Sequence, residues 1–348
     1  MLSTISYSTL AFSFLFSAAA SATPSTEIRV LTDRTESHLS PIFKAYEAKT
    51  GNKVTAVFLD KGLINRLETR PTEADLVITK DAELIEVAKA KKLLGKLNSK
   101  TIDDSITPEF RDPTGNYFVD AWRARIVVYS KERVKPSELS SYEDLASPKW
   151  KKKICIRSGL HDYNISLFGQ FFAAYGQERA TKLIQGIKAN LAQAPKGNDR
   201  EQAKNISEGK CDIALMNSYY FPLMATTPEQ KAWSEAVRVF FPNQKEKGTF
   251  AMRSAVALTN AKEHVQAATS LAEFIASAEG QKIMVNTTFQ YPTNKKAERH
   301  PITNTLGMEQ EGIRNGEFKI NFVPLSSIAS TRESVVKAVV DSNFDKVD

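Results

Sequence analysis

Three tyrosines carry the chemistry this chain could do. Tyr219 and Tyr220 close the stretch Cys211-Asp212-Ile213-Ala214-Leu215-Met216-Asn217-Ser218, and Tyr163 closes Cys155-Ile156-Arg157-Ser158-Gly159-Leu160-His161-Asp162. Tyr163 and Tyr219 each follow their cysteine by eight residues. A phenol, with a pKa near ~10, is a poor metal ligand at neutral pH. A strongly charged hard cation changes that by stabilising the phenolate, as bound metals do for water and thiols. Ferric iron is the biological cation best matched to several phenolates at once. The plain alternative is that these rings are ordinary core or interface aromatics, and a Tyr-Tyr dipeptide alone does not exclude it.

The elements around the tyrosines bear on that choice. Cys211 to Leu215 is a short apolar run that reads as a buried strand. Asn217 and Ser218 supply cap and turn chemistry for a helix starting near Tyr219. Side chains that alternate along a strand can converge where a turn or helix begins. The Cys155 stretch repeats the plan of short strand, polar turn, tyrosine and amphipathic helix. If the two strands are neighbours and the cysteines pair, the tyrosines emerge at the same end of the sheet and share one cleft.

Met1 to Ala22 holds the apolar run Leu10 to Phe16 and ends Ala20-Ser21-Ala22, the pattern of a secretory signal peptide cleaved after Ala22. The run is too short and too interrupted by serine to span a membrane, and no later stretch approaches that length. The expectation is a soluble, exported chain. Its two cysteines then form one disulfide, Cys155 to Cys211, with a pair of buried thiols as the alternative. About 326 residues remain after cleavage, enough for two lobes with cores of their own. The net charge of +7 is scattered, so it reads as a solvated basic surface. Export argues against nucleic acid as a partner and for an anionic ligand or the acidic face of another protein.

Strands over Glu27–Leu31, Lys53–Phe58 and Ala74–Ile78 alternate with helices over Leu39–Lys49, Gly62–Glu68 and Asp81–Lys91. That order implies a parallel sheet flanked by helices, with ligands bound beyond the carboxyl ends of the strands. Thr32-Asp33-Arg34-Thr35-Glu36 occupies that place after the first strand. Tyr117 to Ser130 is long enough to cross between two lobes, and it puts Arg123 and Arg125 on one face. For both arginines a solvated or surface-paired role is the alternative. Val237 to Pro242 reads as the strand returning from the second lobe, and Met252 to Leu258 as a strand back in the first. The tail from about Asn304 is helical in patches and has no place assigned by the pattern. No zinc spacing, Gly-rich phosphate loop or Ser-His-Asp arrangement stands out.

The chain resembles the ferric ion-binding periplasmic proteins, the soluble receptors of bacterial iron(III) ABC importers. The resemblance rests on Arg123-Ala124-Arg125 with Val127-Val128-Tyr129-Ser130, Ser141-Tyr142-Glu143-Asp144-Leu145 with Pro148-Lys149-Trp150, Cys155-Ile156-Arg157-Ser158 with Tyr163-Asn164, Gly197-Asn198-Asp199-Arg200, Cys211 to Tyr220, and Phe240-Phe241-Pro242-Asn243-Gln244. It implies a two-lobed α/β class II periplasmic-binding fold, each lobe a mostly parallel sheet flanked by helices, with a hinge of crossing strands. The first lobe would comprise residues 23–122 and 246–348, and the second residues 123–245. By the same resemblance Tyr163, Tyr219 and Tyr220 match three phenolate ligands of Fe(III). Arg123 matches an arginine that supports the metal or its anion. The protein would be a monomer that delivers iron to an inner-membrane ABC permease.

One departure matters. Many such proteins carry Arg-His-Tyr after the first strand, whereas this chain has Arg34-Thr35-Glu36. A small synergistic anion such as carbonate held by Arg34, a water, or Glu36 itself would then complete the shell. His38 lies two positions on and is expected to face away, and His161 to point elsewhere once a helix starts beyond it. His264 and His300 are isolated. An anion receptor of the same fold without metal, and an extracytoplasmic enzyme, are the competing functions.

Overall fold

The computed structural model describes residues 25–346, so the expected signal peptide lies outside the described residues. β1 (Glu27–Thr32), α1 (Glu36–Thr50), β2 (Lys53–Phe58), α2 (Leu63–Thr69), β3 (Leu76–Thr79) and α3 (Glu83–Ala90) alternate, with β1 parallel to both β2 and β3. Burial explains the alternation. Leu39, Ile42, Phe43 and Tyr46 recur along one face of α1 and are buried in the lobe's core. Gly51, at φ 76°, ends that helix and donates its N–H to the Glu47 carbonyl.

After α4 (Lys100–Ser105) comes β4 (Tyr117–Ser130), buried along its whole length. The second half of the molecule contributes β5 (Ile154–Cys155), α5 (Asp162–Tyr175), α6 (Gln177–Ala189), α7 (Asp199–Ser207), β6 (Ile213–Asn217), α8 (Tyr220–Thr226), α9 (Lys231–Ala236) and β7 (Val237–Phe240). The chain returns through β8 (Thr249–Leu258), α10 (Val265–Ala276), α11 (Ala278–Thr288) and β9 (Tyr291–Pro292). It finishes with β10 (Ile320–Asn321), α12 (Leu325–Ala329) and α13 (Arg332–Asp341). The strands follow one another in the order β2-β1-β3-β8-β4-β6-β5.

β4 and β8 are the crossing strands. Tyr117 to Ala124 of β4 pair antiparallel with β8, and Arg125 to Tyr129 pair with β6. Trp122 packs into the core built on Ile28, Val30 and Leu76, while Ala124, Ile126 and Val128 pack into one second-lobe core and Val127 and Tyr129 into another. The alternation puts a core on each face of the second sheet. β8 crosses the other way, with Phe250 in the second lobe's core and Ala255 to Leu258 in the first.

The tail departs from the expected assignment of residues 246–348 to the first lobe. Leu325 of α12 reaches the first core, but Val335, Ala338, Val339 and Phe344 are buried in the second. α12 packs against both α3 and α5, and α13 against α5 and α6. The cause is an apolar face at helical spacing that covers α5 and α6. Phe344 then lies under Gly159, where any Cβ would meet the ring at 2.6 Å. Asp345 accepts hydrogen bonds from the Ser158 hydroxyl and the Gly159 N–H, each at 2.6 Å.

Candidate metal centre

β5 and β6 are parallel neighbours, pairing Ile154 with Ile213 and Cys155 with Ala214. A disulfide joins Cys155, the last residue of β5, to Cys211, two residues before β6. Both following turns therefore open on the same side of the sheet. Tyr163 sits in the first turn of α5, Tyr219 immediately before α8, and Tyr220 at its first residue. The phenol oxygens of Tyr163 and Tyr219 are 3.2 Å apart, and the Tyr219 and Tyr220 rings lie 4.1 Å centre to centre.

Asn217 and Ser218 do not cap α8, which starts without a side-chain cap. They tie the junction to β4 instead, because that strand runs alongside. Ser218 Oγ accepts from the Ala124 N–H at 3.2 Å, and Asn217 Oδ1 accepts from Arg125 Nη1 at 3.3 Å. Arg125 is fully buried, bound to Asp199 and, at 2.8 Å, to Asn164 beside Tyr163. It knits the two tyrosine loops together from behind. Arg123 is buried too, but its fork donates to the Lys80 carbonyl at 2.6 Å and to Asp81 at 3.0 Å, on the first lobe. Neither arginine is solvated. The guanidinium groups of Arg123 and Arg157 stand 5.4 and 5.1 Å from the centre of the Tyr163 ring.

Two cavities lie between the lobes and share Tyr163 and Arg34. The inner one, about 30 Å³, is lined by Tyr163, Tyr219, Arg34, His38, Arg123 and Gln290 among others. A single water needs about 10–15 Å³ on this measure, so the space as it stands suits an ion with one small companion. The outer one, about 370 Å³, is lined by Tyr220, Arg157, His161, Glu36 and Asp60 among others. Burial and the neighbouring phenols of Tyr163 and Tyr220 hold Tyr219 well above the ordinary phenol range, and burial raises Tyr220 as well. Among the described residues no group of three or more His, Cys, Asp or Glu side chains is placed to hold a metal.

Residues 72–306 match the bacterial extracellular solute-binding proteins. This chain belongs to that family. It is 33% identical over 272 residues to iron uptake protein A1 of a Synechocystis strain, covering 76% of this chain and 75% of that protein. In structure it is similar to the apo form of Pasteurella haemolytica ferric ion-binding protein A, with a TM-score of 0.86, 33% identity, and coverage of 93% of this chain and 100% of that one. A Trichodesmium protein solved in complex with iron and citrate ligands aligns with a TM-score of 0.81 and 30% identity over 91% of this chain and 99% of its own. The two-lobed α/β binding-protein fold is shared with both structures.

The first-lobe wall of this solute-binding protein holds what the sequence reading missed. α1 begins at Glu36, so Glu36 and His38 stand about 200° apart on a helix instead of side by side on a strand. Glu36 is exposed and faces the outer cavity, while His38 lines the inner one with its ring edge-on to Tyr219 at 6.5 Å. The expectation that His38 faces away is thus corrected. Burial and the charges of Arg34 and Arg123 lower its pKa to about 4, so the ring is neutral. His161 also stays with the site. Its Nδ1 accepts from the Tyr163 N–H at 3.1 Å, its ring packs edge-on to Tyr163 at 4.8 Å, and burial beside Arg157 lowers its pKa to about 4. His264 is committed elsewhere, 3.3 Å from Asp75. Arg34 donates from Nη1 to Asp120 at 2.6 Å and to Ser254 Oγ at 3.1 Å, leaving a buried Nη2 that meets no acceptor among the described residues.

Proposed function

We propose that this solute-binding protein captures Fe(III) as its cargo through the phenolates of Tyr163, Tyr219 and Tyr220, and hands it to an inner-membrane ABC permease after export to the periplasm. The observation that carries the reading is the convergence of the tyrosines, with two phenol oxygens 3.2 Å apart, in a cleft where the described residues offer no carboxylate or thiolate cluster. Hard, highly charged iron is the cargo that such a donor set selects. The neutral His38 ring adds a nitrogen donor from the opposite lobe. A small oxyanion such as carbonate beside Arg34, whose Nη2 meets no acceptor among the described residues, completes the shell. Glu36, on the outer side, is not needed as a ligand. The names of the similar proteins, which include iron uptake and ferric ion-binding proteins, support the same cargo.

Capture works by hinge closure about β4 and β8, with iron bridging the tyrosine lobe and the His38–Arg34 wall. Lys80 and Asp162 already form an ion pair across the cleft at 3.3 Å. The outer cavity is large enough for a carboxylate chelator to accompany the iron in, which the citrate in the Trichodesmium complex supports. Binding cargo without turning it over fits the solute-binding family and a monomer that docks on a permease. Arg34 Nη2, without an acceptor among the described residues, favours one second reading, an anion receptor without metal.

A visible spectrum separates the two. Added Fe(III) should give an orange-to-red phenolate charge-transfer band that is lost or shifted in Tyr163→Phe, Tyr219→Phe and Tyr220→Phe, changes that keep the rings and remove one oxygen each. A colourless protein, or an unchanged band in all three variants, overturns the iron assignment.

A further inference from the structure

The stretch Gly197-Asn198-Asp199-Arg200 supplies none of the donors assigned to the iron, yet it forms the start of α7 and is built to hold one conformation. Gly197 takes φ 70°, and a Cβ there would meet Glu201 Oε2 at 2.5 Å. Asn198 Oδ1 accepts from the N–H groups of Arg200 and Glu201 at 3.0 and 3.2 Å, and Glu201 accepts in return from the Asn198 N–H at 2.6 Å. A helix start capped in this way needs nothing further from Asp199. An acidic residue that served only the helix dipole would stand in water. Asp199 is fully buried instead, and its carboxylate is turned to other partners.

Those partners belong to both tyrosine loops. Asp199 Oδ2 accepts from the Asn217 N–H at 2.9 Å, two residues before Tyr219, and from Arg125. Its Oδ1 accepts from Arg157 Nη1 at 3.1 Å, and the Arg157 guanidinium stands 5.1 Å from the centre of the Tyr163 ring. Asn164, next to Tyr163, closes the circuit by accepting from Arg125 Nη2 at 2.8 Å and donating to the Arg157 carbonyl at 3.0 Å. Arg200, one residue on, brings its guanidinium to 5.9 Å from the centre of the Tyr220 ring. One helical turn is therefore tied to each of the three tyrosines. We infer that the first turn of α7 is the positioning element of the tyrosine triad, with Asp199 setting Tyr163 against Tyr219 and Arg200 steadying Tyr220. This rests on the phenolate reading proposed above for its purpose, and on the bonds alone for its geometry. Outer partners that orient metal ligands matter nearly as much as the ligands, and losing one costs about 10–100-fold in metal affinity.

The test is fluorine NMR of the iron-free protein labelled with 3-fluorotyrosine, its lines assigned by single Tyr→Phe changes. Asp199→Asn keeps the size of the side chain but turns an amide N–H toward a guanidinium, so one of the two loops is released. The Tyr163 and Tyr219 lines should broaden or split, while those of Tyr129 and Tyr175, packed elsewhere in the same lobe, stay as in the wild type. Asn198→Ala frays the turn without touching Asp199 and should broaden all three site lines; Asn198→Ser, which caps as well, should restore them. This pair decides the matter if Asp199→Asn does not fold. With Fe(III) added, Asp199→Asn should bind about 10–100-fold more weakly and show a displaced charge-transfer maximum. Site lines as sharp as the wild type's in the folded variants overturn the inference, and so does broadening shared equally by Tyr129 and Tyr175, which is general loosening. A wild type that stays colourless with Fe(III) refutes the cargo, yet the iron-free lines still decide this point. Unchanged lines here leave the phenolate colour standing.

Discussion

Each phenol that takes Fe(III) must give up its proton, so iron affinity should fall steeply as pH drops. In the iron-free cleft Tyr219 is held well above the ordinary phenol range by burial and by Tyr163 and Tyr220, and burial raises Tyr220 too. Both are protonated throughout the neutral range. With three phenols in the shell, three protons leave for each iron bound. The apparent affinity then changes by about a thousandfold, or about 4 kcal/mol, per pH unit. The sign follows from mass action: fewer free protons favour the bound state, so affinity rises with pH and is lost on acidification. His38 adds nothing to the slope above about pH 4, where burial has moved its titration, whereas a histidine at its ordinary value would add a fourth proton below about 6.5. The assay is competition between pH 5.5 and 8 against a chelator of known pH-dependent Fe(III) affinity, read from the charge-transfer band at fixed free hydrogencarbonate. A slope of log affinity against pH near 3 is expected, falling to near 2 in each single Tyr→Phe variant. A wild-type slope of 1 or less would refute phenolate coordination, and a steepening below about pH 6.5 would refute the neutral, buried state assigned to His38.

Three further outcomes follow from the geometry. The Cys155–Cys211 bridge spans 56 residues, so replacing both cysteines by alanine should lower the unfolding free energy by about 4 kcal/mol on chain-entropy grounds. Unchanged denaturant midpoints in the oxidised protein and the double variant would contradict that. Glu36→Gln should alter Fe(III) affinity by less than about twofold because Glu36 is exposed in the outer cavity, whereas Arg34→Lys removes the fork proposed to bond an anion and should cost about tenfold or more in hydrogencarbonate buffer. The reverse order, in the same competition assay, would make Glu36 the ligand. Lys80→Ala removes a partly exposed ion pair across the cleft, worth up to about 1 kcal/mol, so iron should leave up to about fivefold faster at low salt. High salt should erase the difference; a rate unchanged at low salt would mean the pair does not hold the lobes together.

The tyrosine half of the site was legible because its information is local and repeated. Tyr163 and Tyr219 stand at the same interval after their cysteines, and parallel pairing of β5 with β6 turns that interval into convergence. The opposite wall was not. His38 was expected to face away because it lies beyond the loop that follows the first strand, but α1 begins at Glu36 and its first turn brings His38 to the inner cavity. Gln290, which lines the same cavity, stands in no motif; it follows a left-handed Phe289, and nothing about that residue type announces the conformation. Arg125 sits in an apolar run where a charge invites a surface reading, because its partners Asp199 and Asn164 are brought to it only by the fold. The tail failed for a related reason. The spacing of Val335, Ala338 and Val339 announces a helix with an apolar face but does not say which lobe that face will meet.

That tail ties the timing of assembly to the tyrosine cleft. The loop leading to Tyr163 is secured by Asp345, which bonds the Gly159 N–H from 186 residues further along the chain, and by Phe344 beneath Gly159. At ordinary rates of synthesis, about 5–20 residues per second, that anchor follows the loop by roughly 10–40 s. A chain that folds from its amino end meets its surroundings with the second lobe's tyrosine loop still unfastened. Residues far downstream of the loop are the ones that lock it, so the cleft gains its final shape only once they are in place.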